Sequence, residues 1–180
     1  MISISDFVHL QPITINDHLE LVSLMKRIYP SAYKQMWKNE DCSFYFEHFY
    51  NLDNLRKELE ETESEYYFIY YNANLVGILR VHYDKPMKTK PGLSGCYLNR
   101  IYLGEEAQGK GIAKELMTWV EQKARLRGNK VIWLEAMDTQ DQALKFYKKH
   151  GFKKSHKAYL DFAPLRDAYR GMEVFYKLLN

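Results

Sequence analysis

Only two of the 180 residues are cysteine, Cys42 and Cys96. They lie far apart and outside any C-x-x-C or His-paired spacing, so neither a zinc site nor a disulfide scaffold is indicated and a reducing, cytoplasmic setting fits. No stretch approaches the roughly 20 apolar residues of a membrane span. The first residues, MISISDFVHL, lack a basic segment followed by an apolar run, so a soluble, unexported protein without a membrane partner is expected. The formal net charge of +3 is too small to argue for nucleic acid. The local basic run Lys153, Lys154, His156 and Lys157 reads as a sheet edge blunted with lysine. With five prolines, nine glycines and no repeat or low-complexity segment, nothing marks a linker, and one domain over 1–180 is expected. What the chain does have is 46% hydrophobic and 15% aromatic residues, which excludes disorder. At this length about 70% of the unfolded chain's surface can be buried.

The stretch Leu98–Ala113 organises the rest. A short apolar strand runs to Leu103, Gly104 ends it, and Gln108-Gly109-Lys110-Gly111-Ile112-Ala113 leads into an amphipathic helix. Two glycines allow successive backbone N–H groups to converge on one point, and the helix start adds unpaired donors and the positive end of its dipole, so the turn is suited to an anion. Three readings compete. Gly104 to Lys110 reads G-x-x-x-x-G-K like a nucleotide P-loop, but Gly111 stands where Ser or Thr should reach Mg²⁺. A ligand-free strand-to-helix turn is the second reading. The third depends on the remainder of the chain.

Phe7, Val8 and Leu10 predict a strand, and Thr14 to Asp17 a capping box before a helix that Pro30 ends, with Leu21, Leu24, Met25 and Ile28 as its buried stripe. Residues 31–50 read as aromatic and irregular. Asp53 is expected to cap a helix over 55–61 with Leu52, Leu55 and Leu59 on its apolar side. Strands at 66–71 and 75–83 form a hairpin across Asn72-Ala73-Asn74, and 85–95 is a loop. After the glycine turn come a helix ending at Gly128, a strand over 131–136, a helix over 142–150 ending at Gly151, and strands near 152–162 and 172–178. Strand, turn, helix and strand in succession make a βαβ unit with a parallel pair.

The pattern Gln108-x-x-Gly111-x-Ala113 resembles the pyrophosphate loop of the GNAT superfamily of acetyl-CoA-dependent N-acetyltransferases. The run Ala143-Leu144-Lys145-Phe146-Tyr147-Lys148-Lys149-His150-Gly151-Phe152 resembles that family's second signature. The resemblance covers nearly the whole chain. It implies an α/β (α+β) GNAT fold, a mixed, mostly antiparallel sheet with one parallel pair (β4/β5 in the family's order) flanked by helices. The segments YNLDNLRKELEETESEYYFIYY, NRIYL and Trp133-Leu134 are most similar to the PaiA-type subgroup, whose members acetylate polyamines such as spermidine and spermine. Two departures stand out. Gln140 replaces the usual Asn three residues before Ala143, and the strand before the glycine turn offers Tyr97 and Asn99 where many members carry a carboxylate.

The resemblance implies acetyl-CoA as cosubstrate, with no metal. Its diphosphate would lie on Gln108, Gly109, Lys110, Gly111, Ile112 and Ala113, its pantetheine along Ile101, Tyr102 and Leu103, with further contacts from Gln140 and Ala143. Tyr147 takes the general-acid position, and a phenol with a pKa of about 10 can protonate a departing thiolate. Glu135, Glu47, His82 and a water chain are the alternatives for the base. A polyamine requires carboxylates beside aromatic faces, which makes Trp37, Glu40, Glu47 and Glu135 the candidate acceptor residues, although a solvated acidic face over an aromatic core explains residues 37–50 as well. The expected partner is a small-molecule or peptide amine, to a monomer or homodimer. The alternatives are acetylation of a protein N-terminus or lysine, or a non-catalytic acetyl-CoA-binding regulator.

Overall fold

Residues 1–179 are described by a computed structural model. Its eight strands are β1 (Ile2–Ser3), β2 (Val8–Pro12), β3 (Ser64–Tyr71), β4 (Asn74–His82), β5 (Gly95–Leu103), β6 (Val131–Met137), β7 (Lys153–Tyr159) and β8 (Gly171–Leu178). They form one sheet in the order β1-β2-β3-β4-β5-β6-β8-β7. Every neighbouring pair is antiparallel except β5 and β6. The expected mixed α/β sheet with one parallel pair is therefore present, numbered β5/β6 because the two-residue β1 precedes the first strand read from the sequence. The lysine-rich β7 lies at the sheet edge, where Lys154 pairs with Glu173 at 2.7 Å.

Strand alternation feeds a core on each face. On one face Leu79, Val81, Leu98, Ile132 and Leu134 meet Leu116 and Val120 of α4 (Ile112–Leu126) and Tyr147 of α5 (Asp141–Lys149). On the other, Phe68, Ile78 and Met137 meet Leu21, Met25 and Ile28 of α1 (His18–Tyr33), Tyr45 of α2 (Ser43–Phe49) and Leu55 of α3 (Leu52–Glu60).

Several expectations are corrected. Pro30 does not end α1, which continues to Tyr33. A proline within a helix costs about 3 kcal/mol, but the continuation keeps Ile28 and Tyr29 buried and stacks Tyr33 on Tyr29 at 4.7 Å. The Thr14–Asp17 box forms, Thr14 N donating to Asp17 Oδ2 at 2.7 Å, but around a single 3₁₀ turn that runs into α1. Residues 31–50 include a true helix, α2, with Asp41 Oδ1 accepting from Ser43 N at 2.9 Å at its start. The cap of α3 is Asn51, whose side chain accepts from Asn54 N at 2.8 Å. Asp53 sits inside the first turn and pairs with Arg56, and Leu52 is exposed. In the β3–β4 hairpin only Asn72 and Ala73 form the loop, both at positive φ (48° and 62°), the geometry that matches the twist of the two strands.

Candidate active site

The parallel pair opens halfway along. β5 and β6 are paired from Gly95–Val131 to Leu98–Leu134 and no further. Beyond that point β5 follows β4 to Leu103 and β6 follows β8 to Met137. The divergence coincides with a bulge in β5, where Arg80 opposes Arg100 while Val81 opposes Leu98, so that Asn99 is the extra residue. The backbone of residues 99–103 thus has a free side facing the notch.

The glycine turn follows this free edge directly. Gly109 and Gly111 have φ of +71° and +79°, and a Cβ built at either would meet nothing within 4 Å. Among the described residues, the N–H groups of Gly109, Gly111, Ile112 and Ala113 have no intrachain acceptor, whereas those of Lys114 and Glu115 return to Gly111 O. Free N–H groups at the start of a fifteen-residue helix, with two glycines at positive φ before it, suit an anion. Gln108 and Lys110 are exposed, and Ile112 is anchored in the core.

A cavity of about 370 Å³ occupies the notch. Its lining draws Leu98, Leu134, Ala143 and Tyr147 from one core and Tyr29, Met36, Trp37, Tyr45, Tyr102 and Met137 from the other, so it connects the two faces of the sheet. Eight of the 21 lining residues are aromatic, which makes ring faces the main wall material. Tyr29 stacks on Tyr45 with centroids 4.0 Å apart, Trp37 Nε1 donates to Tyr29 Oη at 3.2 Å, and the hydroxyls of Tyr45 and Tyr102 are bonded at 2.9 Å. Leu160, Phe162 and Met172 close the far side. The segment bearing Leu160 and Phe162 is clasped to residues 36–38: Trp37 bridges Leu165, Lys38 N donates to Pro164 O at 3.0 Å, and Arg166 N donates to Met36 O at 2.9 Å.

Of the sequence candidates, Tyr147, Ile101, Tyr102, Gln140, Ala143, Trp37 and Glu135 line this cavity. Leu103 lies on the free edge outside it. Gln140 is engaged by α1, its Nε2 donating to Ala32 O at 3.0 Å. Glu40 and Glu47 are outside, Glu40 in a surface pair with Lys34 at 2.9 Å and Glu47 exposed on α2. Tyr147 is 8% exposed, and burial, then the nearby Tyr102, push its pKa above the ordinary phenol value. Glu135 is exposed, accepts from Tyr97 Oη at 2.9 Å, and is the only carboxylate of the lining among the described residues. Asn99 and Arg100 also line the cavity and were not identified from sequence. Behind them Arg100 meets Glu58 at 2.7 Å and Arg80 meets Asn99 Oδ1 at 2.9 Å and Glu61 at 2.8 Å, so two guanidinium groups are balanced by two carboxylates.

His82 belongs to this network rather than to the cavity. It is 6% exposed, contacts Glu61 at 3.1 Å through Nδ1, and has an unpartnered buried Nε2. Burial, followed by Arg80, Lys85 and Arg100, lowers its pKa to about 3, so it is a neutral and weak base. The unfolded chain takes up this proton near pH 6.5, the folded chain near 3. Between these values the unfolded state binds more protons, and stability falls as pH falls. Chemical denaturation from pH 7 to pH 4 is expected to show this loss, at most about 1.4 kcal/mol per pH unit for one proton. His82→Gln should flatten the profile, and equal slopes in both proteins would remove the imidazole as its source.

Comparison with known proteins follows from this geometry. The spermine/spermidine N(1)-acetyltransferase of Bacillus subtilis is 28% identical over 103 residues, which are 52% of this chain and 65% of that protein. The PaiA N-acetyltransferase of Thermoplasma acidophilum, solved with coenzyme A, has a similar fold with a TM-score of 0.72 at 17% identity, over 95% of this chain and 98% of that one. An acetyltransferase of Salmonella typhimurium that modifies the N-terminal serine of ribosomal protein L7/L12 gives a TM-score of 0.73 at 14% identity, over 99% of both chains. The acetyltransferase (GNAT) family profile matches residues 24–152, from within α1 to the residue after Gly151, and the chain accordingly belongs to that family of acyltransferases.

Proposed function

We propose that the protein transfers the acetyl group of acetyl-CoA to a small primary amine, with the donor entering along the free edge of β5 and the acceptor held on the aromatic side of the sheet. The observation that carries this reading is the notch itself, a passage between two diverging parallel strands with an anion cradle at one end and an aromatic chamber at the other. The backbone donors of residues 109–113 hold the diphosphate, and the free main chain at Ile101 and Leu103 pairs with pantetheine as an added strand would. The thioester then lies between Tyr147 and Glu135.

In the reaction the amine nitrogen's lone pair attacks the thioester carbon, the C–S bond breaks, and the sulfur leaves with the bonding electrons. Glu135, directly or through water, takes the proton the amine loses. Tyr147 gives its phenolic proton to the departing sulfur and is reprotonated from solvent. Burial holds Tyr147 protonated across the working pH range, which suits a donor. Spermidine and spermine, the acceptors named for the Bacillus subtilis relative, are the first amines to test.

The test is release of free CoA thiol from acetyl-CoA in the presence of polyamines, amino acids, aminoglycosides, arylalkylamines and peptides. Glu135→Gln is expected to lower kcat/KM by roughly 10² at neutral pH, with the deficit shrinking at alkaline pH as the amine loses its proton unaided. A deficit independent of pH would assign Glu135 to binding the amine instead of deprotonating it. Acetyl-CoA binding without thiol release from any amine would favour a non-catalytic regulator.

A further inference from the structure

The acceptor chamber has an uneven chemical character. Among the described residues of its lining there is one carboxylate, Glu135, and one other formal charge, Arg100, already matched by Glu58 at 2.7 Å. The acidic residues beside the aromatic segment, Glu40 and Glu47, point away from it. The chamber therefore has a counter-ion for one ammonium group. A second or third ammonium taken into it would be desolvated with ring faces and neutral polar groups but no carboxylate, and cation–π contact returns less than that desolvation costs.

The walls are built for a flat apolar body. Tyr29 and Tyr45 are stacked, Phe49 and Phe162 meet edge to face at 5.6 Å, and Met36 and Leu160 fill between them. The hydroxyls of Tyr29, Tyr45 and Tyr102 are tied into protein hydrogen bonds, so these tyrosines turn rings rather than polar tips toward a ligand. Rings in this arrangement favour offset and edge contacts with another aromatic group. About 370 Å³, shared with the thioester end of the donor, leaves room for one or two rings.

We infer that the acceptor is a monoamine carried on an aromatic or similarly flat apolar body, with its amino group at Glu135 and its body between the α1–α2 aromatics and Phe162. The inference rests on the acetyl-transfer reading and names the substrate class of that site. Thiol release measured with 2-phenylethylamine, tryptamine, n-butylamine and spermidine tests it. The expected kcat/KM for 2-phenylethylamine or tryptamine exceeds that for spermidine at least tenfold. Phe162→Ala raises the KM of the aryl amine about tenfold with the acetyl-CoA KM unchanged, and Phe162→Leu, which keeps most of the volume, falls between. Spermidine as the better substrate, with its KM rising in Glu40→Gln or Glu47→Gln, overturns the inference and leaves acetyl transfer standing. Absence of thiol release with every amine, in protein that binds acetyl-CoA by calorimetry, overturns the transfer reading and the inference with it.

Discussion

Tyr147→Phe is expected to lower kcat by 10² or more while acetyl-CoA affinity and melting temperature hardly move. The substitution keeps the ring and its contacts with Phe146, Phe152 and Phe175 and removes only the hydroxyl. If that hydroxyl supplies the leaving thiolate's proton, general acid catalysis accounts for a loss between 10² and 10⁴. A hydroxyl without a part in the reaction predicts an unchanged kcat, and since Tyr147 Oη has no hydrogen-bond partner among the described residues, stability should hardly change in either case. Because burial raises the Tyr147 pKa, the wild-type rate should not decline up to about pH 10, where a solvent-exposed phenol would begin to ionise. Stopped-flow or thiol-trapping kinetics across pH 7–10 on both proteins separate these cases. A Phe variant with full kcat would assign the proton to solvent and strike Tyr147 from the machinery, with the transfer reaction intact.

Gly111→Val is expected to raise the acetyl-CoA Kd at least 10²-fold. Two effects combine. At φ +79° a β-branched residue is strained by about 1–2 kcal/mol, and its side chain, meeting no protein atom, occupies the concavity where the diphosphate approaches the free N–H groups. Gly111→Asn divides them, because Asn tolerates the left-handed region. The Asn variant should recover most of the stability and little of the affinity. Calorimetric titration paired with thermal unfolding gives both quantities, and an unchanged Kd in folded Gly111→Val protein would move the diphosphate away from this turn. ATP with Mg²⁺ should bind neither protein comparably, since Gly111 stands where a metal-binding hydroxyl is needed.

The turn proposed to seat the donor was legible in sequence because its geometry depends on the backbone. Glycines at 109 and 111 and the amphipathic periods of α4 and α5 mark it locally, within a single βαβ unit. The aromatic chamber was legible only at Trp37 and Glu135, because its walls come from four distant segments, residues 29–49, 98–102, 134–147 and 160–172, and rings at nearly every position of residues 44–50 leave no period to read. Closeness in sequence also misled. Glu47 lies two residues from both Tyr45 and Phe49, which share one side of α2, and helical spacing turns a residue at i+2 to the opposite side. Glu135 is aligned with Trp133 and Met137 by strand alternation, which carries it to the chamber. Pro30 obscured Tyr33, since the packing that carries α1 through the proline is tertiary.

The clasp between residues 36–38 and 163–166 has an evolutionary consequence. In the proposed reading main-chain atoms seat the donor, whereas the chamber proposed for the acceptor is closed by a surface excursion between β7 and β8 that carries Leu160 and Phe162 and neither Tyr147 nor Glu135. Insertions or exchanges in that excursion can re-size the chamber without touching Tyr147 or Glu135. A change of this kind requires only that the new loop keep a few backbone pairings to the segment after α1.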